Sequence, residues 1–417
     1  MSKSSKPTGK DVDPRDREFG RRVAELRKDR GMTQQQLAAQ LNGRTPSWMS
    51  QVERGIQPIR RFDLLRELAN ALGVSTQALD PGAPIDATPA AAELVANDLD
   101  GARLVIAGHP ALGALLGTDT TQPDLAALSA QVDEMWSLTH AARHSEVSDM
   151  VTALVPDLER AVRTASDADR STAYKLLAHA YHALASAFAR QGDSRAAWVA
   201  ADRAVTAAEQ SGDVYLVFAG IFRMVHAFVR LGSPAEAEHA VRGAIDALKA
   251  QGDLPPEGLS VLGSLHLAKA LMHARSSQRT EARAEIEAAR QVAERLGEDR
   301  NDYHLEFGPT NVAVQSVSTA VDLGDAGEAL DIGHSINADA LSPERQGRLL
   351  MDLGRAHAQR RETADAVGCL LRAEALSPEM VQNHTAVREA VHEMILVTGS
   401  KASRGLRELA VRTGVTD

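Results

Sequence analysis

An all-α fold, made of a small helical head and a long body of repeated helix pairs, is predicted for this chain of 417 residues. Three observations carry the prediction. Ala, Leu, Arg and Glu dominate the composition while aromatic residues make up only 3%, which favours helices over sheets. Apolar residues recur at helical spacing through the first eighty positions, interrupted by short turns. From about Met135 onward a helix-turn-helix unit returns several times.

Charge separates the two parts. The net charge is −10, yet residues 1–80 hold 15 Lys and Arg against 10 Asp and Glu, so the head is positive by 5 and the remainder carries −15. A basic head can approach phosphates that an acidic body avoids. The stretch Met1 to Lys10 is basic and polar with no apolar run behind it, and no later segment approaches the roughly 18 consecutive apolar residues of a membrane span. A cytoplasmic, nucleoid-associated protein with no membrane partner is expected. Cys369 stands alone, which excludes an intramolecular disulfide, and its apolar surroundings predict a small buried core residue.

In the head, Phe19, Val23 and Leu26 mark a helix over Asp16 to Arg30 that stops at Gly31. Thr33 with Gln36 forms a capping-box pattern, and Leu37, Ala38 and Leu41 share one face of a short second helix. Asn42-Gly43-Arg44 makes a turn, Thr45 is a good N-cap, and Pro46 suits the first position of a third helix, with Met49 and Val52 inward. After Gly55 and Pro58, the run Phe62, Leu64, Leu65, Leu68, Leu72 predicts another helix. Two short helices joined by a tight turn are what placing the second in a DNA major groove requires.

Over residues 17–79, LRKDRGMTQQQLAAQLNGRTPSWMSQVERG followed by LLRELANALGVSTQAL resembles the Xre (lambda repressor and Cro) family of helix-turn-helix regulators. The resemblance implies a lambda-repressor-like domain over 15–80 that binds double-stranded DNA. Gln34, with Gln35 beside it, would hold backbone phosphate at the start of the second helix, while Thr45, Ser47, Trp48, Ser50 and Gln51 would form the reading side of the third, packing of Trp48 on the neighbouring helix being an equal alternative. Arg44, Arg54, Arg60 and Arg61 flank that helix and suit phosphate contacts. The family also implies that Arg27 and Glu53 pair beneath the reading helix. Lys3, Lys6 and Lys10 make residues 1–14 a candidate flexible basic arm, with a disordered tail as the plainer alternative.

Asp80-Pro81-Gly82-Ala83-Pro84 reads as the start of a linker, and residues 81–134 as linker and irregular helices. In 135–417 the segments AYHALASAFARQGDSRAAWVAADRAV, RMVHAFVRLGSPAEAEHAVRGAI and LGRAHAQRRETADAVGCLLRAEALSP resemble tetratricopeptide repeats. The second-helix alanines Ala197, Ala237, Ala282, Ala329 and Ala366 are 40, 45, 47 and 37 residues apart, longer than the regular unit of about 34. A loosened α-solenoid is expected, with a concave binding surface lined by first helices. His179, His182, Arg223 and His226 are candidates for that groove, as are Asn311, Gln315, Asp352 and Arg355.

Catalytic and metal sites are not expected. His140 with His144, and His179 with His182, could each share a helical face but lack a matched set of ligands. No Gly-rich phosphate loop, nucleophile elbow or HExxH is present. The expectation is a non-enzymatic, cofactor-free transcription regulator of actinobacterial type, a homodimer on a palindromic operator, whose repeats bind a peptide or small-molecule effector. The alternative is a DNA-tethered scaffold that recruits a protein without an effector.

Overall fold

Helix α1 (Pro14–Asp29) opens where the Asp13 carboxylate accepts a hydrogen bond from the Arg15 backbone N–H at 2.8 Å. The computed structural model describes residues 13–41, 44–59, 62–72, 99–108, 122–141, 143–337 and 341–415, with 74, 79, 112 and 116. The basic arm with Lys3, Lys6 and Lys10, the linker 80–98, and Arg60 and Arg61 lie outside the described residues.

Thr33 and Gln36 close the capping box of α2 (Gln34–Ala39), and Thr45 Oγ1 accepts from the Trp48 N–H to start α3 (Pro46–Glu53). With α4 (Phe62–Ala71) these helices enclose a core containing Val23, Leu37, Met49, Val52, Leu65 and Leu68. The close approach of α1 to the end of α3 requires Gly20, because a Cβ there would sit 2.4 Å from the Val52 carbonyl oxygen.

The body follows through α5 (Asp100–Ala107), α6 (Leu125–His140) and α7 (His144–Thr164). Leu99, Ala102 and Ile106 join the same apolar cluster as α6 and α7. Five helix pairs succeed them. These are α8 (Arg170–Arg190) with α9 (Ser194–Ser211), α10 (Val214–Leu231) with α11 (Pro234–Lys249), and α12 (Pro256–Arg275) with α13 (Arg279–Leu296). Next come α14 (Pro309–Leu323) with α15 (Ala326–Ser335), and α16 (Pro343–Gln359) with α17 (Thr363–Leu376). The chain ends in α18 (Pro378–Asn383), α19 (Thr385–Thr398) and α20 (Arg404–Arg412). No strand occurs among the described residues, so the all-α expectation holds: a helix-turn-helix head and a helical-repeat body.

First helices α8, α10, α12, α14 and α16 pack on one another in sequence, and the second helices lie outside them. Alanine makes this spacing possible: Ala197, Ala237, Ala282, Ala329 and Ala366 are each at most 1% exposed. A small side chain at the crossing lets two helices approach closely. The 47-residue interval between Ala282 and Ala329 is long because residues 297–308 form a strap. In the strap Tyr303, His304 and Glu306 have φ of 51°, 56° and 48°, left-handed conformations that non-glycine residues adopt at a cost. Phe307 is fully buried against α12, where Gly263 has no Cβ to collide with its ring.

By length and composition alone α10 would suffice to cross a bilayer. It is instead a first helix of the repeat stack, packed against α8, α9, α11 and α12. Cys369 is half-buried rather than fully buried, and burial pushes its thiol up.

Candidate functional site

Helix α3 keeps part of its outer side open. Thr45 and Ser47 are exposed and Ser50 and Gln51 half-buried, with Gln35 exposed on neighbouring α2. Trp48 takes the packing alternative and not the place on the reading side: it is 6% exposed and packs into the head core, with the Arg44 guanidinium 5.1 Å from its ring centroid. The indole is apolar enough to belong inside, so Trp48 holds α3 in place rather than standing on its open side. Arg44 also points away from a purely DNA-facing position, donating to Ser277 Oγ in the turn between α12 and α13. Arg54 is exposed and donates to the Ser50 carbonyl at 3.2 Å.

Beneath α3, Arg27 Nε donates to Glu53 Oε1 at 2.5 Å and Arg27 Nη2 to Glu53 Oε2 at 3.1 Å. Gln34 Nε2 donates to the same carboxylate at 2.8 Å. The pair is the one implied by the family resemblance, and Gln34 joins it, tying α1, α2 and α3 together. Its side chains are only 10% and 8% exposed, so Glu53→Ala is expected to destabilise the head by about 3 kcal/mol because a buried guanidinium loses its counter-ion. Base preference should be unaltered. A melting curve superimposable on that of the unaltered protein would refute this.

A cavity of about 500 Å³ opens on the concave side of the body. It is lined by α8, α10, α12, α14, α16, the start of α19 and the strap, with Arg44, Leu64 and Glu67 of the head at its edge. Arg223, His226, Asn311, Gln315, Asp352 and Arg355 line it as the sequence predicts. His179 and His182 do not. His182 is fully buried beside Gly220, inside the α8–α10 contact, and burial holds its imidazole well below the usual range. His179 stands behind the strap, its ring stacked with Tyr303 at 6.4 Å and edge-on to His304 at 5.5 Å. Their spacing correctly placed them on one helix but could not say which neighbour covered it.

The cavity wall is an array of ions. Glu344, 3% exposed, meets Arg190 at 3.1 Å and Arg348 at 3.8 Å. Burial raises its carboxyl, but Arg190, Arg348 and Arg345 outweigh burial and hold it at about 2. Arg355 is bracketed by Asp352 and Asp322, each at 2.8 Å. Arg345 grips the strap through Glu306 at 2.5 Å and the Leu305 carbonyl at 2.9 Å, and also reaches Asn311. Arg223 donates to the His304 carbonyl at 3.0 Å and lies 5.3 Å from the Trp136 ring centroid, while Trp136 stacks on His304 at 3.9 Å.

Arg190, Arg230, Arg345, Arg348, Glu306 and Glu344 belong to this site and escaped the sequence reading. A signal for some of them exists: Arg223, His226 and Arg230 recur at i, i+3 and i+7 on a helix otherwise largely apolar. On α16, Arg348, Asp352 and Arg355 fall at i, i+4 and i+7, again on one face. The strap residues carry no such signal, because a loop has no period.

Outside the cavity, His357, Glu362 and Asp365 bring one ligand atom each within 4.8 Å at the α16–α17 corner. His357 Nδ1 lies 2.7 Å from Glu362, an ordinary turn contact.

Among curated proteins there is no match. Among solved structures, the crystal structure of Bacillus thuringiensis PlcR in complex with the peptide PapR7 and DNA is similar over 83% of this chain and 99% of that chain, at 14% identity and a TM-score of 0.36. Residues 18–81 match the family described as Helix-turn-helix domain, and with α1–α4 arranged as above this part of the chain is a helix-turn-helix domain.

Proposed function

We propose that the protein is a sequence-specific DNA-binding transcription regulator of the Xre kind, with an effector-binding helical body. The observation that carries this reading is the helix-turn-helix match over 18–81 together with a third helix whose Ser47 and Gln51 keep access to solvent. Gln51 can contact adenine bidentately, and Gln35, Arg54, Arg60 and Arg61 suit phosphates. One such head offers little contact area, so the working unit is a homodimer on a palindromic operator with half-sites about 34 Å apart or a multiple of that. Residues 15–80 form the DNA-binding part and 135–417 the repeat part, with 81–134 between them, of which α5 and the start of α6 pack into the core of the body, and the protein acts on cytoplasmic, nucleoid DNA.

The cavity supplies the effector site, a small molecule or peptide filling the space framed by α10, α14 and α16. Arg44 links the two functions. It precedes the reading helix and touches the turn at Ser277, so a ligand that shifts α12 relative to α10 changes the orientation of α3. Switching of this kind needs the ligand to bind one arrangement more tightly than the other.

Genome-wide capture of bound DNA, followed by competition binding with single-base variants of the captured operator, tests the reading. Gln51→Ala is expected to cost about 1–3 kcal/mol of discrimination at one base pair while non-specific affinity stays constant. Uniform loss at all sequences, or no captured consensus, would overturn the assignment of the reading face.

A further inference from the structure

The cavity holds more positive than negative charge once its ion pairs are matched. Glu306 is taken by Arg345, Glu344 by Arg190, Asp352 by Arg355, and Asp322 by Arg355 together with Arg275 at 3.6 Å. Three guanidinium groups are left over. Arg230 makes no hydrogen bond or ion pair with any described residue, although Glu67 and Glu389 also border the cavity. Arg223 meets only neutral acceptors, Ser186 Oγ at 3.3 Å and the His304 carbonyl at 3.0 Å, and its Nε has no partner. Among the described residues Arg348 forms an ion pair with Glu344 alone, at 3.8 Å, whose same oxygen Arg190 holds at 3.1 Å, while Asp352 acts on it from farther away.

Arg223 and Arg230 are desolvated, Arg348 is partly exposed, and the three repel one another. Burial, then Arg190 and Arg345, pull the Arg223 guanidinium down to about 9. Burial, then Arg275 and Arg348, do the same to Arg230. Between them on α10, His226 stays neutral, because burial and the surrounding arginines Arg230, Arg348, Arg223 and Arg275 all disfavour a further proton. Unmatched cations in a recess cost stability unless a ligand brings the missing charge. A body whose overall charge is strongly negative nevertheless concentrates cations at this cavity.

We propose that this cavity binds a small polyanion, carrying at least two negative charges on phosphoryl or carboxylate groups, gripped by Arg223, Arg230 and Arg348. Guanidinium forks match both anion types bidentately. The volume of about 500 Å³ lies within the usual range for small-molecule sites. The strap favours a compact ligand over an extended peptide, because His304, Leu305 and Glu306 occupy the groove between α8 and α16. His226 and the edge-to-face ring of Phe222, 4.6 Å away, add a neutral donor and an apolar wall.

This inference deepens the reading of the body as the ligand-binding part, and it is tested on the full-length protein apart from DNA binding. Thermal melting and calorimetry with sodium pyrophosphate and, separately, sodium citrate at constant ionic strength provide the two arms. A saturable rise in Tm with either supports the proposal, pyrophosphate alone indicating a phosphoryl ligand and citrate alone a carboxylate one. Arg230→Gln and Arg348→Gln are expected to weaken binding roughly tenfold or more, whereas Arg404→Gln on exposed α20 leaves it unchanged. Without ligand, Arg230→Gln should melt at or above the temperature of the unaltered protein, since it removes a cation that has no hydrogen-bond or ion-pair partner among the described residues. No saturable rise with either anion, an equal rise in Arg230→Gln, or binding of an acidic peptide while both small anions fail would overturn the proposal. Operator binding measured in parallel separates the cases: its loss with the anion response intact counts against the regulator reading alone.

Discussion

Acidification from about pH 7 to pH 4 is expected to remove several kcal/mol of stability from the helical body. His144 is 1% exposed, and burial, reinforced by Arg190, lowers its imidazole to about 4. Burial likewise lowers His179 to about 4 and His304 to about 2. An unfolded histidine takes up its proton near 6.5, so between about pH 6.5 and 4 the unfolded chain binds more protons than the folded one. The stabilisation from these neutral rings is therefore complete above about pH 6.5 and is lost as pH falls towards the folded values. For His144 alone the shift corresponds to about 3 kcal/mol. Below the ordinary carboxylate range Glu344 and Glu285, both held at about 2 despite burial, add to the loss. Asp352 and Glu393, whose carboxyls burial raises, offset part of it. Tm followed by circular dichroism from pH 8 downward should begin to fall near pH 6.5, and a flat profile to pH 4 would show that these rings are hydrated.

Glu344→Ala is expected to cost about 3–5 kcal/mol, as does removal of one partner from other buried ion pairs. The carboxylate is 3% exposed and is the hub for Arg190 and Arg348. Burial already lowers the Arg190 guanidinium, so without Glu344 that cation keeps only the Thr139 carbonyl, at 3.0 Å, among its near contacts. The surplus of arginines in the cavity would grow accordingly. Equilibrium urea unfolding measures the effect, and a loss under about 1 kcal/mol would mean that water already screens the cluster. Added pyrophosphate should partly restore the variant if the cavity takes polyanions.

Much of the head was legible in the sequence. The capping box at Thr33, the Thr45-Pro46 helix start and the inward set Val23, Leu37, Met49 and Val52 all stand where periodicity and capping chemistry put them. In the body, the recurring alanines located five helix crossings, because only a small residue fits there. Trp48 stayed open between two readings and His182 was misplaced for a common reason. Helical spacing says which residues share a face but not what lies against it, and here the head core covers one and α10 the other. Arg190 and Glu344 were missed because they are far apart in sequence and neighbours only after successive helix pairs have stacked.

The residues alone determined the helices, their caps, the basic head on an acidic body and the stacking of pairs, since each follows from interactions within a few positions or from local composition. Which arginines find carboxylates, and which are left facing the recess, was decided only by the tertiary structure. That outcome depends on the superhelical path of the repeats and on the strap at residues 297–308 laying Glu306 across the groove. Such distances are set by every packing contact between the two ends of the body, and no short window of sequence contains them.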